Sequence, residues 1–114
     1  MKTDRELLEL AARAAAMELW EGPEGAWRDV EYVRGLLLSC GCELWNPLAD
    51  DGDALRLAVK LGLSFDSDLK LRLTVVENME PGGIVVCEHH NDDPDAATRR
   101  AIVRAAAAIG EQMP

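Results

Sequence analysis

The chain has 114 residues, a formal net charge of -9 and three cysteines. That length suits one domain, 1–114, with a modest core of its own. The charge repels phosphate and argues against ordinary nucleic-acid binding, and no apolar run approaches the roughly 18 residues of a membrane helix.

The opening, MKTDRELLEL, is charged and acidic, unlike a secretory signal. The expectation is a cytoplasmic protein without membrane contact. An odd cysteine count agrees with reduced thiols rather than a disulfide framework.

Thr3-Asp4-Arg5-Glu6 spells a capping box, with Thr3 as cap and Glu6 reaching back. Leu7, Leu10, Ala11, Ala14 and Met17 then share one helical face, so a helix is expected over about 4–17. Glu18 to Trp20 is expected as a short strand. Glu21-Gly22-Pro23-Glu24-Gly25 is a loop by composition. From Trp27 onward Val30, Tyr32, Val33 and Leu36 to Leu38 favour strand. Gly35 within them signals a bulge, a bend or a close backbone approach. Ser39-Cys40-Gly41-Cys42 turns the chain back into a hairpin through Glu43 to Trp45.

Asn46-Pro47 marks a turn, and Asp50 can cap the helix that follows. Asp53 suits the positive end of its dipole. Leu55, Ala58 and Val59 fall at helical spacing, which predicts a helix over 50–61 with these residues inward. Gly62 is its stop. Leu63 to Asp68 is expected as a connector. Leu69, Leu71, Leu73 and Val75 alternate with Lys70, Arg72 and Thr74, as in a strand with one wet face. Glu80-Pro81-Gly82-Gly83 is a turn. Ile84 to Cys87 is apolar on both faces and is expected as the more central strand. Asp93 caps a last helix, with Pro94 in its first position. That helix is expected over 94–109, ended by Gly110. Its alanines allow close approach to a sheet or a second helix. The result is an α+β chain, with helices layered on a mainly antiparallel sheet.

The candidate chemistry is thin. Asp50, Asp51 and Asp53 lack the spacing of a calcium loop, and capping accounts for them. Asp92, Asp93 and Asp95 read the same way. Cys40, Cys42, Cys87 and His89 are the soft ligands from which a metal site could be drawn, but the spacing is no recognised zinc pattern. Alternation puts Cys87 and His89 on one face and His90 on the other. A Cys/His nucleophile, Cys87 with His89 or Cys40 with His90, has no supporting motif around it. No catalytic residue and no cofactor is expected. Trp20, Trp27 and Trp45 are core anchors by default. Trp27, if exposed by the Gly/Pro loop, is the candidate partner contact. Arg99, Arg100 and Arg104 form a basic edge, available for internal ion pairs or for self-association.

Three blocks carry a resemblance. TDRELLELAARAA (Thr3 to Ala15), WNPLADDGDALRLAVKL (Trp45 to Leu61) and DDPDAATRRAIVRAAAAIG (Asp92 to Gly110) together resemble the small bacteriophage and prophage proteins of the phage ABA sandwich family. The resemblance implies an α-β-α sandwich. It implies no enzymatic activity, cofactor or catalytic residue. The expected function is a non-enzymatic phage accessory protein of the host bacterial cytoplasm, acting by protein–protein contact. Its partner is an unidentified protein, and a homodimer is one form of that contact. Two alternatives differ in class. One is an acidic DNA mimic that inhibits a host defence or nucleic-acid-binding protein. The other is a Cys/His metal protein. The region from Trp20 to Cys42 and the sheet after Leu63 fall outside the familiar blocks and are where a binding surface is expected.

Overall fold

The computed structural model describes residues 1–30, 33–39, 41, 43–78 and 83–114. Its elements are α1 (Asp4–Ala14), β1 (Trp27–Val30), β2 (Val33–Leu37), β3 (Leu44–Trp45), α2 (Asp51–Leu61), β4 (Leu63–Asp68), β5 (Leu73–Asn78), β6 (Val85–His89) and α3 (Pro94–Gln112). The fold is α+β, as expected. Its strands are divided between two antiparallel three-stranded sheets, ordered β1-β2-β3 and β4-β5-β6.

α3 is the centre of the molecule. It packs on α1, on α2 and on the β4-β5-β6 sheet. Ala101, Ile102, Val103, Ala105 and Ala106 are all buried. Alanine permits this because a methyl side chain lets neighbouring backbones come close on several sides. The helix does not stop at Gly110, as the sequence suggested; it runs on to Gln112. Gly110 has another reason to be glycine. A Cβ there would lie 2.0 Å from the carbonyl oxygen of Leu10 in α1.

The starts of the helices follow their capping residues. The Thr3 hydroxyl accepts from the Glu6 amide at 3.1 Å, and the Glu6 carboxylate accepts from the Thr3 amide at 3.3 Å. The Thr3 hydroxyl also donates to the Glu6 carboxylate at 3.0 Å. The bonds that this carboxylate accepts, from the Thr3 backbone amide first and the Thr3 hydroxyl second, hold it below the ordinary glutamate value. A depressed folded value means that the stability from this carboxylate is present above the unfolded pKa. It is lost as pH falls through the folded one. An acid titration of thermal stability should therefore fall less steeply in Glu6→Gln than in the parent. Superimposable profiles would show that the ionised carboxylate adds nothing, since glutamine can also close the box.

α1 ends at Ala14, three residues short of the expected boundary. Ala16 adopts a left-handed conformation. Its amide bonds to Arg13 O, and the Met17 amide bonds back to Ala12 O. This is a Schellman ending with alanine where glycine is usual. Glu18 to Trp20 make only an isolated bridge, Leu19 to Leu38, instead of a strand.

α2 has the cap and the stop that its sequence announces. Asp50 accepts from the Asp53 amide, and Gly62 is left-handed. Its buried face shares only Ala58 with the expected one. Ala54, Leu57 and Ala58 point inward, while Leu55 and Val59 are exposed. Gly35 meets its expectation of close approach, since a Cβ there would lie 2.7 Å from Trp45 O.

The second sheet departs most from expectation. Leu63 to Asp68 is not a connector but the edge strand β4, paired with β5 so that Phe65 faces Val76. Leu69 and Leu71 lie exposed before β5 begins, because the Asp68 carboxylate accepts from the amides of Lys70 and Leu71 and folds them into a turn. Thr74 and Val76 are therefore the buried residues of β5, opposite in parity to the leucines. β5 is the central strand, and β6 lies at the edge. The Glu80-Pro81-Gly82 turn lies outside the described residues. Among the described residues, no helix is long and apolar enough to cross a membrane.

Candidate functional site

Cys40 and Cys42 lie outside the described residues. Cys87 and His89 are exposed on the outer side of β6. Among the described residues, no group of three or more His, Cys, Asp or Glu side chains is placed to hold a metal ion.

His90 is buried, with 3% of its surface exposed. Its Nε2 lies 2.8 Å from Thr74 Oγ1 and 3.2 Å from Ser67 Oγ. Thr74 Oγ1 is 2.9 Å from Thr98 Oγ1, which donates in turn to Pro94 O. One imidazole and three hydroxyls thus join β4, β5, the approach to α3 and α3 itself. The sequence paired His90 with Cys40 and gave no sign of these hydroxyls. Each group in the cluster has partners within it, which suits a role in holding elements together. Reactive use of Ser67 would also need donors converging on an oxyanion.

The aspartates at the helix starts are occupied. Asp50 caps α2. Asp53 accepts from the Asn46 amide at 3.0 Å and pairs with Arg56 at 2.8 Å. Asp93 caps α3 by accepting from the Ala96 amide, while Asp92 and Asp95 are exposed beside it. The basic edge of α3 is likewise engaged within the chain. Arg99 pairs with Asp51 at 2.7 Å and donates to Leu48 O. Arg100 pairs with Asp4 at 3.1 Å, and Arg104 with Glu88 at 2.6 Å. These bonds tie α3 to α2, α1 and β6. Pairs this open to water contribute about 0–1 kcal/mol each.

Trp45 is buried. Trp27 is not an exposed loop residue. It begins β1, is half-buried against the core, and has the Arg34 guanidinium 5.8 Å from its ring centroid. It lines a cleft of about 460 Å³ with Arg34, Asn46 and Arg100 among others. Trp20 is the tryptophan of the Gly/Pro loop. Its indole lies against Gly22, where a Cβ would fall 2.0 Å from Nε1, and against Gly41 on another side.

An apolar surface lies partly on α2, where no binding residue was expected, and partly on the sheet after Leu63, where a binding surface was. Leu55 and Val59, four apart on the outer face of α2, are 54% and 72% exposed. Phe65 on the neighbouring edge strand is 43% exposed. Leu55 and Phe65 line one shallow cleft between α2, β4 and α3. Single exposed apolar residues are ordinary, but a contiguous set marks a contact surface. Sequence periodicity located Leu55 and Val59 correctly on one stripe and assigned that stripe to the core. Comparison with models of protein families, with curated proteins and with solved structures finds no match.

Proposed function

We propose that the chain is a non-enzymatic accessory protein of phage or prophage origin that acts in the bacterial cytoplasm by binding another protein. The phage origin rests on the three resembling sequence blocks. Binding through contact is supported by one observation, the exposed Leu55–Val59–Phe65 surface. Covering the part of such side chains that is still exposed yields roughly 1–2 kcal/mol each. That is enough for an anchor cluster, around which polar contacts complete an interface. Phosphate mimicry ranks behind it, because Asp4, Asp51, Asp53 and Glu88 are already paired with arginines of the same chain.

The test compares the tagged parent with a Leu55→Asp/Val59→Asp variant in lysogenic or infected host cells. Both positions are exposed, so the variant should keep the parent's circular dichroism. A protein retained in stoichiometric amount by the parent and lost by the variant is the expected result. Identical captured proteins would overturn the assignment of this surface. Sedimentation of the purified parent separates the homodimer form. A dimer that the same substitutions abolish means that the partner is a second copy.

A further inference from the structure

We infer that the cleft between α1 and the loop after it binds an arginine- or lysine-bearing segment of a basic protein. This site shares no residue with the α2 surface and does not depend on it.

The cleft measures about 900 Å³. Its position follows from the left-handed turn at Ala16, which folds the chain back beside α1. Met17, Leu19 and Trp20 supply apolar wall, and Glu9, Glu18 and Glu21 supply carboxylates. Its cation, Arg13, is held by the carbonyls of Met113 and Pro114. Glu9 is paired with Arg5 at 2.9 Å. Glu18 and Glu21 form no ion pair among the described residues. The Trp20 Nε1–H is buried and has no acceptor among them.

These features select one kind of occupant. A guanidinium or ammonium group placed between Glu18 and Glu21 meets two carboxylates that are free to accept its hydrogens. The methylene stem behind it lies on Met17 and Leu19, as long basic side chains do on apolar surface. The Trp20 ring adds attraction for a cation near its face. The net charge of -9 draws such a segment in and repels an acidic one. A second copy of the chain is a poor occupant. It carries the same negative charge, and Arg99, Arg100 and Arg104 are already engaged.

The probe is a short synthetic peptide with arginines spaced by glycine and leucine. A matched peptide with citrulline, neutral and nearly isosteric, is the control. Binding is read by calorimetry and by the tryptophan indole signals in a nitrogen–proton correlation spectrum. The arginine peptide should shift the indole signal that Trp20→Phe removes. Glu18→Gln/Glu21→Gln should weaken its binding about tenfold, from the loss of two ion pairs and their hydrogen bonds. Asp66→Asn/Glu77→Gln removes equal charge from another face and should change affinity less than about twofold. Leu55→Asp/Val59→Asp should leave it no weaker, whatever becomes of the α2 surface. Equal weakening by the two charge-removing pairs would mean diffuse attraction and overturn the site. So would equal binding of the citrulline peptide, or an unmoved Trp20 signal. Equally tight binding of arginine amide alone would replace the protein segment with a small cation.

Discussion

A chain carrying Gly110→Ala is expected to lose on the order of 3 kcal/mol of stability, or to fail to fold. Helix propensity argues the other way, since alanine in a helix interior is favoured over glycine by about 1 kcal/mol. The steric term is larger. The added Cβ would stand 2.0 Å from Leu10 O, 2.9 Å from Leu10 C and 3.4 Å from Ala14 N. All three are backbone atoms of α1, and none can rotate aside as a side chain would. α1 would have to move away, taking Leu7, Leu8, Ala11 and Ala12 with it, and these belong to the one buried core. A domain is stable by only about 5–15 kcal/mol, so this is a large share. Urea unfolding measures it. A midpoint that rises in Gly110→Ala would show that propensity wins and that the helices can part without cost. Ala108→Gly, two residues away and half-buried, should cost no more than about 1 kcal/mol and serves as the reference.

Gly110 also shows where the sequence becomes ambiguous. The same residue type serves a left-handed stop at Gly62 and a helix crossing at Gly110. The first is a local event, and flanking residues announce it. The second depends on a helix nearly a hundred residues earlier. Helix starts were legible for the same local reason: Thr3, Asp50 and Asp93 each bond to an amide three residues on. The end of α1 was not, because alanine at position 16 carries none of the usual signal for a left-handed turn. The alternating leucines before Thr74 suggested a strand with the wrong parity. The Asp68 carboxylate turns the chain there, and only the pairing with β4 sets which side of β5 is inner.

The candidate sites showed in the sequence only as regions, Trp20 to Cys42 and the sheet after Leu63, and their residues stayed hidden on similar grounds. α2 is apolar on two sides, and either could be buried by periodicity alone. The side with Ala54 and Ala58 is the one taken inward, in a helix that packs on α3, and that leaves Leu55 and Val59 outside. The Trp20 cleft exists because α1 ends early. The hydroxyls around His90 come from separate elements, and no short motif could have assembled them.

His90→Ala should be the second large loss, roughly 2–4 kcal/mol, from a cavity and from broken hydrogen bonds together. The ring is almost fully enclosed, and Thr74 beside it is 0% exposed. Without the imidazole, the Thr74 hydroxyl keeps Thr98 and Ser67 as partners, at 2.9 Å and 3.2 Å. The cost of an unsatisfied hydroxyl is thereby reduced, and the cavity dominates. Thr74→Val keeps the volume and removes the hydroxyl, so it should cost about 1–3 kcal/mol by leaving Nε2 with Ser67 alone. The two losses should not add. Once the ring is gone, Thr74 has less to lose, and the double variant should fall short of the sum by about 0.5–1 kcal/mol or more. Urea unfolding of the two single variants and the double measures that coupling. Strict additivity would mean that the 2.8 Å contact between Nε2 and Oγ1 carries no energy of its own. Where these variants remain folded, binding at the Trp20 cleft should be unchanged, because no residue of the cluster lines it. A loss of peptide binding in folded His90→Ala would instead tie the cluster to the site and give it a part in function beyond stability.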